Sequence, residues 1–199
     1  MTTHKLLLFS AIIACLLISS CSWITQDHYF SNNDPSSPWK SLFRHGVPSN
    51  KTEGYPDTSL AILERSDVKL VVDVSYQEVT FSGPMFLPIF PHLFSSDSDN
   101  ELIVRVTVDS DNEYVVLPPT NWLLTDLNKD STYTVIDSYI PPRTVAKQLL
   151  WARFPIPGSS LQSIKLDFGN ATKNEQVIDI PNLSLTREKG DWRINHFSF

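Results

Sequence analysis

Along most of the chain apolar and polar residues alternate with a period of two, the pattern of strands with one buried and one solvated face. Val68, Leu70, Val72, Val74 and Tyr76 fall on one side, and Lys69, Asp73, Ser75 and Gln77 on the other. The parity then changes, because Val79 and Phe81 are apolar where Glu78 and Thr80 are not. One extra residue in the strand produces such a shift, so a bulge is predicted near Gln77–Glu78. Leu102, Val104, Val106 and Val108 line a second strand. Further strands are predicted over 114–117, 132–140, 149–154, 163–168, 177–180 and 183–187. Leu183–Arg187 and Trp192–Asn195, joined by Glu188–Asp191 with Gly190 in the turn, read as a closing hairpin.

Two stretches read differently. Leu60–Arg65 fits either a helical turn or a short strand. Thr144–Leu150 is the best helix candidate, since Pro141 and Pro142 precede it and Val145, Ala146, Leu149 and Leu150 have helical spacing. No longer amphipathic helix is available to cover a parallel sheet. The expected fold is therefore all-β and mainly antiparallel, an immunoglobulin-like β-sandwich over residues 58–199 with at most one or two short helices. The closing Lys189–Ile194 segment is similar to the last strands of nuclear-transport-factor-2-like domains. The long helices that cap those sheets are missing here, and that fold is not adopted.

The N-terminus carries a different signal. After Met1–Lys5 comes an apolar run, Leu6–Ile18, broken only by Ser10. It is shorter than the roughly 20 residues a permanent membrane span needs, and suits the apolar region of a cleaved export signal. The run ends in Leu17-Ile18-Ser19-Ser20-Cys21, which resembles the lipobox of bacterial lipoproteins. The resemblance covers the first 22 residues and implies that residues 1–20 are removed. It also implies that the Cys21 thiol is joined to diacylglycerol and that the new amine takes a fatty acid such as palmitate. Ser22 stands where inner-membrane lipoproteins of the enteric type carry Asp, which implies the outer membrane, facing the periplasm. A second match, ending at Cys15, leaves only Leu6–Ala14 as the apolar run, so Cys21 is preferred. An ordinary signal cut near Ser20, with Cys21 an unmodified thiol, is the alternative. Two or more acyl chains anchor a protein stably where one does not.

Residues 21–57 read as a flexible tether, because Ser31–Pro38 and Ser49–Pro56 are clusters of turn-forming residues. Between them Trp39–Phe43 is an apolar island, expected either to pack on the domain or to dock a partner.

Charge and cysteine content narrow the function. The formal charge is −6, with the basic residues scattered, which argues against nucleic acid as a partner. The chain has only Cys15 and Cys21, so the folded domain has no internal disulfide and must be held by its core. None of the familiar nucleophile, metal or phosphate-loop motifs occurs, and neither an enzyme, a metal site nor a cofactor is expected. Two identical acidic pentapeptides, Asp97–Glu101 and Asp109–Glu113, flank one strand. That strand puts them at opposite ends of the sheet, so each is expected to be a solvated turn rather than part of one calcium site.

The apolar stretch Gly83–Phe94 contains three prolines and is expected to be a loop, either a plug closing the core or a contact surface. Met85, Phe86, Leu87, Ile89, Phe90, Leu93 and Phe94 are its candidate contact residues, with Trp122 as a neighbouring wall. Together these features predict an outer-membrane lipoprotein whose non-catalytic β domain binds or scaffolds another envelope component. A carrier for an apolar ligand or lipid, through the 83–94 loop, is the alternative.

Overall fold

A computed structural model describes residues 21–44, 58–65, 68–84, 90–91, 101–110, 115–142 and 147–196. The strands are β1 (Cys21–Ser31), β2 (Lys40–Arg44), β3 (Thr58–Glu64), β4 (Lys69–Pro84), β5 (Phe90–Pro91), β6 (Leu102–Asp109), β7 (Val115–Val116) and β8 (Leu123–Asp126). They continue with β9 (Ser131–Thr134), β10 (Asp137–Tyr139), β11 (Lys147–Phe154), β12 (Ser163–Asp167), β13 (Asn170–Lys173), β14 (Gln176–Asp179) and β15 (Leu183–His196). The helical content of the described residues is two single 3-10 turns, Pro119–Asn121 and Gly158–Ser160. The protein is all-β and mainly antiparallel.

Twelve strands form one sheet in the order β10-β11-β6-β4-β1-β15-β12-β8-β9, with β2 and β3 paired beside β4, and β5 on its other half. Strands β14, β13 and β7 make a small second sheet. The large sheet curls into a half-barrel. Its two terminal strands, β9 and β10, follow one another in the chain with only Val135 and Ile136 between them. The hydrogen-bonded path is continuous through β4, where the expected immunoglobulin-like sandwich would have divided it into two sheets.

Strand β4 makes the corner. From Lys69 to Val74 it pairs with β6, and from Ser75 to Pro84 with β1. Tyr76 sits at the handover, stacked on His28 at 4.8 Å, and a Cβ on Gly158 would lie 2.6 Å from its ring. Glycine is required there by the close approach. Because the sheet turns at this point, both halves bury their inner faces in one core. Val72, Val104, Val106 and Leu150 come from one half, and Leu124, Ile164, Leu166 and Leu183 from the other. Phe168 joins them, edge-on to Trp122 at 5.4 Å and tilted against Trp39 at 5.7 Å.

Several expectations are corrected. Residues 21–44 do not form a tether: Cys21–Ser31 is the strand between β4 and β15, and Lys40–Arg44 pairs with β3. Trp23, Ile24, Thr25, Tyr29 and Phe30 are strand formers, but Asp27 and His28 interrupt the alternation. Both are buried, because the register slips between Gln26 and His28. Of the island Trp39–Phe43, Trp39 packs into the core, whereas Leu42 and Phe43 are exposed.

The predicted helix is also replaced. Residues 147–150 open β11, whose Gln148, Leu150, Ala152 and Phe154 point inward with strand periodicity; residues 143–146 lie outside those described. The closing hairpin is one continuous strand, β15. Gly190 lacks the positive φ of a turn glycine, and β1 pairs with β15 on both sides of it. Strand β4 is irregular against β1, but between Val79 and Phe81 rather than at Gln77–Glu78. Of Leu60–Arg65, Leu60 to Glu64 is strand, within β3, and Arg65 follows it.

Candidate functional site

The outward faces of β2, β3, β4, β6 and β11 form the most developed open surface among the described residues. Registers fix what stands beside what. One row runs Glu64, Lys69, Asp109, Lys147, alternating in sign. The next runs Lys40, Ile62, Val71, Thr107, Leu149 and is largely apolar. The third runs Leu42, Leu60, Asp73, Arg105, Trp151, Tyr139 and mixes both characters. A strand pattern that is apolar inward and charged outward gives the alternation. The apolar residues on the outward side are what that pattern does not require.

These rows enclose a shallow groove of about 450 Å³. Leu149 is 51% exposed and Leu42 43%, while Leu60 is buried in the groove floor. Arg44, Lys69, Arg105 and Lys147 bring four cations to its lining against two carboxylates, Asp73 and Asp109. The groove is thus locally basic in a chain of charge −6.

Some of that charge is engaged. Lys69 Nζ lies 2.6 Å from Glu64 Oε1, and Lys40 Nζ 3.6 Å from Glu64 Oε2. The hydrogen bond and charge of Lys69, with Lys40 behind it, hold the Glu64 carboxyl below its ordinary range. Arg105 stands 4.0 Å from Asp73, which also accepts a hydrogen bond from Thr58 Oγ1 at 2.8 Å. Exposed pairs of this kind add little stability. They fix the positions of the long side chains around an apolar floor. Arg44 and Lys147 make no ion pair among the described residues.

At the groove's far side Trp151 stacks on Tyr139 at 6.3 Å, and the Arg153 guanidinium lies 5.6 Å from the Trp151 ring centre. Arg153 also pairs with Glu101 at 3.2 Å and Asp137 at 3.8 Å. The surface offers apolar contact, cation–carboxylate contact and aromatic stacking. No group of three or more metal-ligating side chains occurs among the described residues.

A smaller cleft of about 260 Å³ is lined by Val116, Leu117, Pro118, Ile140, Pro141, Gln148 and Leu150. Gln148 is fully buried in its wall, and neither amide atom has a hydrogen-bond partner among the described residues.

The residues singled out from sequence separate. Cys21 is the first residue of β1 and pairs with Pro84. Phe90 opens β5 opposite Ser82. Met85, Phe86, Leu87, Ile89, Leu93 and Phe94 lie outside the described residues. Trp122 is a core residue, 0% exposed and packed on Phe168, so it is not a contact surface. Glu101 and Asp109 stand at opposite ends of β6, Asp109 as its last residue; residues 97–100 and 111–113 lie outside those described. The groove itself was missed. The available signals were Val71 and Leu149, apolar residues on the outward parity of their strands.

No family model, curated protein or solved structure matches this chain.

Proposed function

We propose that the protein is a bacterial envelope lipoprotein, held in the outer membrane by acyl chains on Cys21 and facing the periplasm. Its non-catalytic β domain binds another envelope component through the groove on the outer face of β2, β3, β4, β6 and β11. The observation that carries the binding role is the apolar strip Leu42, Leu60, Ile62, Val71 and Leu149, set among cations on an open sheet face. Leu42 and Leu149 are exposed, Ile62 and Val71 half-buried between them and Leu60 buried in the floor, and apolar side chains gathered on an outward sheet face support a contact role. The partner that fits is a polypeptide surface with apolar residues among carboxylates. An immunoglobulin-like outline, in the loose sense of two sheet halves closing on one core, belongs to the same proposal, since such domains bind through faces and loop ends.

The test is a photo-reactive residue placed at Thr107 in living cells, with one at Lys165, on β12, as control. The reading expects a crosslinked protein at Thr107 that Leu42→Asp and Leu149→Asp abolish. A crosslink indifferent to those substitutions contradicts it.

The second reading, a carrier for a small apolar ligand, has its own observation in the Gln148 cleft. A bound amide or carboxylic acid would satisfy both atoms of the Gln148 side chain, which are costly to leave unpaired. Extraction of such a molecule from the purified domain would favour it over the groove.

A further inference from the structure

We infer that the end of the sheet at which Cys21 stands is a second contact with the bilayer, made by protein rather than by the acyl chains. This inference rests on the lipid-anchor reading. Its starting point is that the strand begins at the anchor. Cys21 pairs with Pro84, and Ser22 pairs with Gly83 on one side and with His196 on the other. Acyl chains attached at the Cys21 sulfur enter the hydrocarbon, so the Cys21 backbone stands at headgroup level. Its neighbours are held about 4.8 Å away by strand pairing. They cannot retreat from the membrane without unzipping β1.

What the sheet places there suits that position. Strand β4 ends at Pro84 and β5 begins at Phe90, with Phe90 opposite Ser82 and Pro91 opposite Phe81. Pro84 therefore stands beside Cys21, and Phe90 and Pro91 lie one strand further out, on the other side of β4. From Val79 through Ser96 the sequence has no Asp, Glu, Lys or Arg, although 19% of the chain is charged. Phe81, Pro84, Phe90 and Pro91 belong to that uncharged stretch. A segment without charge meets no like-charge repulsion from anionic headgroups, and aromatic residues are enriched at that level of the bilayer. Across β1 the chain places His196 opposite Ser22 and Arg193 opposite Thr25.

The orientation follows. Strand β4 leads away from the membrane, and at about 3.3 Å per residue Val71 lies about 40 Å along it from Pro84. The groove is carried away from the anchoring surface, toward whatever the periplasm or the far layer of the envelope presents.

The experiment uses the full lipidated protein, extracted from membranes and reconstituted in vesicles of phosphatidylethanolamine and phosphatidylglycerol. Single cysteines are introduced by Phe90→Cys, Ser82→Cys and Thr107→Cys and labelled with bimane, and the acyl mass at Cys21 is measured on the same samples. With Cys21 acylated, the inference expects bimane at positions 90 and 82 to lose most of its emission to a nitroxide carried near the lipid headgroup. Bimane at position 107 keeps its emission. An acylated protein with no quenching at 90 and 82 overturns the inference and leaves the anchor standing. Quenching at 107 as well overturns it too, because the domain then lies flat. An unmodified Cys21 overturns the anchor and the inference together.

Discussion

The two halves of β4 make an instructive pair. From Lys69 to Val74 the strand is inward-apolar and outward-polar, flanked by β3 and β6. Its inner side chains join the core, and its outer ones build the groove. From Ser75 to Pro84 the same strand pairs with β1 and β5, runs through a register shift, and ends beside Cys21. One strand thus runs from a locally basic groove to an end segment, Val79–Pro84, that carries no charged residue and stops beside Cys21, the proposed anchor. A long strand that turns the sheet lets one core support both, at a separation set by strand length rather than by a linker.

The largest effect expected is at the anchor. Cys21→Ala should abolish fatty-acid incorporation and release the domain from membranes, as fractionation after metabolic labelling will read. If the substituted protein still takes up labelled acyl chains, the comparison loses its membrane end.

Next is the core that joins the two halves. Phe30 is buried on β1, in a segment whose sequence suggests a tether. Phe30→Ala should cost about 3–5 kcal/mol in a denaturant titration, the usual range for a buried phenylalanine. A tether residue would cost nothing. Phe168→Ala should cost a similar amount, since Trp39 and Trp122 both pack on its ring.

A gain is expected at Gln148. Replacing it with Leu removes two buried, unpartnered polar atoms at little change in volume. The domain should become more stable by about 1–2 kcal/mol. A loss would show that a bound molecule or water satisfies the amide.

The smallest effect lies on the groove rim. Glu64 has its folded pKa depressed by Lys69. The contribution of that pair is therefore present above the ordinary glutamate range and fades as pH falls through the lowered value. Lys69→Met should raise the Glu64 midpoint in an NMR titration, with scarcely any change in melting temperature.

The sequence displayed its fold wherever one strand face is buried and the other wet. Leu102, Val104, Val106 and Val108 are core positions in a strand whose bounds match the alternation. It was silent where burial contradicts polarity. Asp27 and His28 are buried side by side in β1, and that hid the strand at the middle of the sheet order. Gly190 suggested a turn because glycine so often makes one, yet pairing with β1 holds it extended. The curl of the sheet depends on a handover within β4 between partners far apart in sequence, which no local pattern records. The groove depends on which outward residues align across five strands, so only Val71 and Leu149, apolar on an outward parity, hinted at it.

Everything proposed about orientation depends on what the mature polypeptide begins with. Mass spectrometry of its N-terminal peptide, isolated from the native envelope, is the direct measurement. The account predicts a peptide starting at Cys21 and heavier by a thioether-linked diacylglycerol and an amide-linked fatty acid. A peptide carrying a free thiol at Cys21, or retaining residues before it, would contradict that account.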